Sequence, residues 1–449
     1  MNKTIAFVSL GCDKNLVDSE HMLGLLHHAG YTLIADEAAA DALVVNTCCF
    51  VEDAKRESIE QILEVARYKE EGNCKALIVT GCMAQRYKEE ILNEMPEVDA
   101  VVGTTSYDKI VEVIDEVLEK KGVKVQNFNP IDREHIEEMP RILTTAGYFA
   151  YVKISEGCDN KCTYCIIPKL RGKYRSRAQE QIKKEVTKLA KDGVSEIILV
   201  AQDTTVYGSD LTNGETLVTL IRELSTIEGI EWIRILYCYP ETLTDELIQE
   251  IKTNDKVCKY LDMPIQHAAD PVLKRMARKS TNADLRERIG KLRAEVPGIA
   301  IRTTFIVGFP GETEEDFDAL CDFVSDIRFD RLGVFTYSQE EGTAAAKLPE
   351  QIDEDIKTKR KDIIMTMQHD ISEELTKSKV GQVMRVLIEG KITGEDAYIA
   401  RSYQDAPEVD GQVFVNYEGE LISGDYVDVM ITDASDYDLI GEIVDEHSK

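Results

Sequence analysis

No apolar run in this 449-residue chain approaches the ~18 residues that a membrane-spanning helix needs, so helical membrane insertion is excluded. The N-terminus, MNKTIAFVSLGC, has one Lys and a short apolar run that passes directly into a strand-like pattern. It lacks the apolar length and small-residue cleavage site of a secretory signal, and a cytoplasmic protein is expected. Positive charge is scarce too: 53 Lys and Arg stand against 83 Asp and Glu, a net charge of −30. Such a chain repels polyphosphate as a whole and attracts basic protein, so direct RNA binding is not favoured without a local basic patch. Fixed-period repeats and low-complexity tracts are also missing. At ~150 residues per domain the length suggests about three domains, each able to bury a core.

Cysteine, by contrast, is plentiful. Eleven cysteines in a reducing compartment, an odd number, do not make a disulfide framework, so metal or redox chemistry leads. Cys238, Cys258 and Cys321 sit in apolar strand- or helix-like stretches and read as small buried hydrophobes.

The first region, residues 1–140, alternates β-branched runs at 4–10, 41–47, 75–81 and 99–103 with helical patterns at 15–29, 52–71, 84–95 and 107–121. That alternation predicts an α/β fold with a doubly wound parallel sheet. Residues 122–146 lack periodicity and read as a linker. In the second region, 147–378, strands are expected near 148–155, 195–201, 232–237, 259–265, 300–307 and 332–337, each followed by a helical pattern. Six such units match a partial (β/α)6 barrel. A charged helix over 352–377 leads out, and five alternating runs in 379–449 predict a small antiparallel β-barrel of oligomer-binding type.

Residues 155–165, SEGCDNKCTYC, place Cys158, Cys162 and Cys165 in a loop after the first barrel strand. Three thiolates at this spacing can each bind one iron of a 4Fe-4S cluster and leave the fourth iron open to a substrate or cofactor. A structural zinc site would want a fourth ligand, and no second close cysteine pair lies nearby. The motif, with Tyr164 before its last cysteine, resembles the signature of radical S-adenosylmethionine enzymes. The resemblance implies that the open iron chelates S-adenosylmethionine and that an electron from the cluster cleaves the sulfonium to give a 5'-deoxyadenosyl radical. Gln202 and Asp203 after the second strand, Gln266 and His267 after the fourth, and Gly308 to Glu312 after the fifth all lie at C-terminal strand ends, where barrel chemistry gathers. Tyr164, Gln202 and Gly308 are taken as cofactor-side residues. The GFPGET turn is also explained by Thr313 and Asp316 capping the next helix, and His267 by hydrogen bonding within its loop.

Cys12, Cys48 and Cys82 each follow one of the first three strands. The C-terminal ends of parallel strands share one sheet edge, so these three should converge into a second three-thiolate site. Cys49 should point away from it, and Cys74 precedes its strand at the opposite edge. Two three-cysteine sets, one on an α/β domain and one on a radical barrel, with a small β-barrel behind, resemble the methylthiotransferase family (the last domain its TRAM type) over nearly the full length. The resemblance implies two 4Fe-4S clusters, two S-adenosylmethionine molecules, and electron and sulfur donors that are unidentified. The N-terminal cluster would carry the sulfur.

One branch of that family modifies an adenosine in transfer RNA and another the β-carbon of an aspartate in small-subunit ribosomal protein twelve. LGCDKNLVDSE, ISEGCDNKCTYCIIPKLRGKYRSR, VAQDTTVYG and YSQEEGTAA resemble the ribosomal-protein branch. Residues 380–449 agree with it, holding four Lys or Arg against sixteen Asp or Glu, a net of −12 that suits a basic ribosomal protein, free or ribosome-bound, better than RNA. The basic run Lys169, Arg171, Lys173, Arg175 and Arg177 could meet phosphate, but is expected instead to neutralise a substrate or cofactor carboxylate at the barrel mouth. Three other classes compete. An electron carrier would complete each cluster with four ligands, and a cobalamin-dependent methylase would carry an Asp-x-His-x-x-Gly loop that is not present. A transfer-RNA methylthiotransferase is opposed by the local wording and the acidic tail.

Overall fold

A computed structural model describes residues 3–120, 122–134 and 138–444. The ends of the first and third expected regions (1–2 and 445–449), the last residue of the expected helix 107–121, and 135–137 of the expected linker lie outside the described residues. The first sheet contains β1 (Thr4–Ser9), β2 (Thr32–Leu33), β3 (Ala42–Thr47), β4 (Ala76–Gly81), β5 (Ala100–Val102) and β6 (Val125–Asn127), in the order β2-β1-β3-β4-β5-β6. Every pairing in it is parallel. All six residues of β3 and all six of β4 are buried, because helices cover both faces of the sheet. Leu43, Val45, Leu77 and Val79 pack into one layer, and Val44, Ile78 and Val102 into the other. Each such side chain contributes roughly 1.5–3 kcal/mol through burial.

Two strands escaped the sequence reading. β2 is two residues long, and β6 lies inside the expected linker, where it pairs with β5 as an edge strand too short to show a period. The rest of the linker is tied down at Arg141, which ion-pairs with Glu20 (2.6 Å) and Glu185 (2.6 Å) and donates to the Tyr151 carbonyl.

The second sheet is formed by β7 (Phe149–Lys153), then β10 (Glu196–Val200), β11 (Trp232–Ile235), β12 (Val257–Asp262), β13 (Ala300–Val307) and β14 (Arg331–Thr336), in the order β14-β13-β12-β11-β10-β7. It is an open, all-parallel six-stranded barrel, flanked by a small ribbon of β8 (Ser155–Glu156) and β9 (Arg175–Ser176). Helices pack on its outer side against Val152, Ile197, Leu199, Ile233, Leu261 and Phe305.

The alternate residues Phe149, Tyr151, Ile198, Trp232 and Tyr260 form the inner side, where Val17 of the N-terminal region and Leu387 and Ala406 of the C-terminal region join them. That last region is a closed barrel of β15 (Val383–Lys391), β16 (Ala397–Ser402), β17 (Val413–Asn416), β18 (Tyr426–Ala434) and β19 (Leu439–Ile443), in the order β15-β16-β17-β19-β18. Four neighbour pairs are antiparallel as expected, and β17 with β19 is parallel.

The closed barrel sits on the inner side of the open one through a buried ion triad. Glu196 accepts from Arg234 Nε (2.8 Å) and Arg401 Nη2 (2.6 Å), all three at most 2% exposed. Burial pulls the Glu196 carboxyl upward, but the two guanidiniums hold it below its ordinary value.

Candidate functional site: two thiol sets across one seam

Cys12, Cys48 and Cys82 all stand at C-terminal strand ends of the first sheet. Gly11 has φ +93°, and a Cβ there would lie 2.8 Å from Cys48 Cβ and 3.2 Å from its Sγ, so glycine lets the Cys12 loop close onto Cys48. Gly81 has φ +91°, and a Cβ would meet Asn46 Oδ1 at 2.3 Å and the Thr47 carbonyl at 2.5 Å, so glycine brings Cys82 against the end of β3. The thiols lie within electrostatic range of one another. Burial pushes Cys48 up to about 12, with further increments from Cys82 and Cys12. Burial likewise raises Cys82, opposed by the Arg171 guanidinium. Cys49 is buried in the apolar layer beside Cys82, and Cys74 lies in the same layer.

Cys158, Cys162 and Cys165 form the second set in the loop after β8. Burial raises Cys165 to about 12, with contributions from Cys162 and Cys158, and Cys158 to about 11. Among the described residues no three His, Cys, Asp or Glu close on a single metal ion. A cube with iron at its corners needs thiolates spread around it instead, and both sets are trios of soft ligands. Thiols become ligands when a cation displaces their protons, so both trios fit an iron-sulfur group.

One three-residue segment meets the loop of the first set and a thiol of the second. Tyr237, after β11, donates to Asp13 Oδ1 (3.1 Å), the neighbour of Cys12, while the Lys14 ammonium lies 3.1 Å from its ring centroid. Tyr239 OH is 3.9 Å from Cys162 Sγ. Tyr237 adopts φ +59°, held there by the hydrogen bond its backbone N–H donates to Asp262 Oδ2 (3.1 Å). Arg278 stacks on Tyr239 with its guanidinium 4.3 Å from the ring centroid and donates to Glu241 (3.1 Å). Its Nε and Nη1 are buried without a hydrogen-bond partner among the described residues.

The other expected site residues divide. Gln202 donates to Glu156 Oε1 (2.8 Å) and keeps Oε1 buried and unpartnered among the described residues. Asp203 steadies the cysteine loop by accepting from Asn160 (2.8 Å). Tyr164 meets Phe309 edge-on at 6.5 Å within an apolar cluster. The space beside Gly308 is filled by Lys357, whose Cγ would lie 2.2 Å from an added Cβ. Thr313 and Asp316 form the expected capping box. His267 Nδ1 accepts from the Ala269 amide (3.0 Å), and burial lowers it to about 3.

The basic run departs from its expected role. Lys169 donates to the Gly342 carbonyl (2.7 Å), Arg171 pairs with Asp18 (2.7 Å), Arg175 with Asp132 (3.6 Å) and Arg177 with Glu185 (2.7 Å). Four of its five cations are therefore spent inside the protein, because a chain this acidic surrounds each with carboxylates and carbonyls. Tyr237, Tyr239 and Arg278 were missed by the sequence reading. The first two follow the third barrel strand, so the strand-end rule applied to strands two, four and five would have found them; Arg278 had no motif to mark it.

Comparisons with known proteins follow the same three parts. Residues 4–103 match the uncharacterized protein family UPF0004, 152–324 the radical SAM superfamily and 380–444 the TRAM domain. The chain is 55% identical over 437 residues to ribosomal protein uS12 methylthiotransferase RimO of Lachnoclostridium phytofermentans, covering 97% of this chain and 99% of that protein. It is 51% identical over 442 residues to RimO of Clostridioides difficile, covering 98% and 99%. Among solved structures it is similar to the radical S-adenosylmethionine methyltransferase TsrM of Kitasatospora setae, at TM-score 0.56 and 13% identity over 88% of this chain and 81% of that one, a likeness of fold.

The fold and the matched superfamily thus define a radical S-adenosylmethionine enzyme, a class that implies a 4Fe-4S cluster and that cofactor. Within it, the chain belongs to the ribosomal protein uS12 methylthiotransferase family.

Proposed function

We propose that the protein transfers a methylthio group to the β-carbon of an aspartate in ribosomal protein uS12, in the cytoplasm, with two 4Fe-4S clusters and two molecules of S-adenosylmethionine. The chain divides for this work into 1–140, 147–378 and 379–449. Cys158, Cys162 and Cys165 hold one cluster and Cys12, Cys48 and Cys82 the other. When bound, the cofactors supply reductive cleavage of a sulfonium, and with it hydrogen removal from an unactivated carbon, together with a methylated sulfur to transfer.

The protein's own residues position and seclude that chemistry. Tyr164, Gln202 and Arg278 line the cofactor side, and Gln202 Oε1 and the unpartnered guanidinium edge of Arg278 orient its polar groups. Tyr237 and Tyr239 wall the space between the two thiol sets and exclude water. The acidic C-terminal barrel attracts a basic ribosomal protein, and electrons and sulfur come from external donors.

The observation that carries this reading is the segment 237–239, where one tyrosine bonds Asp13 beside Cys12 and the other meets Cys162. Anaerobic reconstitution should give about eight irons per chain, two cubes of four. Incubation with S-adenosylmethionine, a reductant and either ribosomes or transfer RNA should then add a methylthio group to uS12 by mass spectrometry. Modified nucleosides beside unmodified uS12 would reverse the assignment.

A further inference from the structure

Arg171 belongs by sequence to the barrel, at the end of the short helix Ile167–Arg171 that follows the second cysteine set. Its guanidinium is 2% exposed and lies among groups of the N-terminal region. Nη1 donates to Asp18 Oδ2 (2.7 Å) and to Glu156 Oε2 (3.2 Å). Nη2 donates to Asn15 Oδ1 and to Cys82 Sγ, the latter at 3.5 Å. Lys153, 4% exposed, pairs with the same two carboxylates, so two cations and two anions are buried together beside the sulfur. Asn15 is itself fixed, donating to the carbonyls of Leu10 (3.1 Å) and Thr47 (2.9 Å), the residues flanking the Cys12 and Cys48 loops.

We propose that Arg171 is a positioning residue that reaches from the barrel to the N-terminal cluster, donating to its Cys82 ligand sulfur, raising the cluster's reduction potential and fixing its orientation toward the barrel. The inference rests on the reading that Cys12, Cys48 and Cys82 hold a cluster. Reduction adds negative charge that the ligand sulfurs share, and iron-sulfur potentials follow net charge and hydrogen bonds to sulfur. A guanidinium buried where water cannot screen it stabilises the reduced form more than the oxidised one. Removing Arg171 takes one of the two cations from the carboxylates beside Cys82. Arginine suits the place because its planar fork serves four acceptors together, which a lysine ammonium does not.

The test uses the full-length chain carrying Cys158→Ala, Cys162→Ala and Cys165→Ala, so that only the N-terminal cluster remains, reconstituted without oxygen. Iron is counted, and the potential is followed by electron paramagnetic resonance during a redox titration. About four irons per chain are expected with Arg171 intact; their absence would refute the cluster assignment itself. In that background Arg171→Gln should keep its iron and shift the potential to more negative values. Arg171→Lys should shift it the same way by less, and Asp18→Asn, which removes an anion, should shift it to more positive values. The opposite signs separate charge from a general loosening of the seam. A full iron content with an unmoved or more positive potential in Arg171→Gln overturns the proposal. If that variant takes up no iron, parental potentials in both Arg171→Lys and Asp18→Asn overturn it equally.

Discussion

The two thiol sets are built in opposite ways. Cys158, Cys162 and Cys165 come from one loop of eight residues, whereas Cys12, Cys48 and Cys82 come from three strands and meet only when the sheet has formed. A local set needs little beyond its loop, so damage to it should remain there. A set gathered from distant strands depends on sheet register and on the close approaches at Gly11 and Gly81. The contrast teaches that the same ligand chemistry is robust in one place and conditional in the other.

The largest test of that contrast is Cys162→Ala, which should reduce 5'-deoxyadenosine formation to background while leaving about half the iron bound. Cys48→Ala should leave about the same iron but keep part of the deoxyadenosine formation and stop methylthio transfer, as chromatography and mass spectrometry would show. Equal loss of deoxyadenosine in both variants would break the comparison. Gly11→Ala should cost about 1–3 kcal/mol, through a Cβ in the left-handed region crowded against Cys48, and deplete the N-terminal cluster only. Chemical denaturation and iron counting would read both effects.

The smallest effect concerns the seam that keeps the sets opposed. Burial lowers His21 from 6.5 to about 4, an effect reinforced by Arg141, Arg177 and Lys153 and opposed by Glu185. Between those values the unfolded chain binds a proton that the folded one refuses. Stability is therefore full above pH 6.5 and falls as pH drops toward 4. The unfolding free energy read by urea titration should fall by about 1–2 kcal/mol between pH 7 and 5, and His21→Gln should flatten that slope.

How much could be read from the chain follows the same division. The three central cysteines stood out as a set because they are neighbours in sequence. The N-terminal set was legible only through topology, one cysteine after each of three successive strands, and the central strands β3 and β4 were clear because both faces are buried. β2 and β6 stayed hidden since two or three edge residues carry no period. The basic run misled because sequence shows charge but not partners: Arg171 and Arg177 look free in the chain and are consumed by Asp18 and Glu185 in the fold. Tyr237 and Tyr239 acquire meaning only once Asp13 and Cys162 arrive from opposite sides.

The Glu196, Arg234 and Arg401 triad makes the acidic tail part of the catalytic domain's floor. Cutting the tail away would strand a carboxylate and a guanidinium and uncover Trp232, so this domain is no bead on a string. Anyone redirecting the enzyme by grafting on a foreign tail would have to import an arginine for Glu196 along with the new specificity.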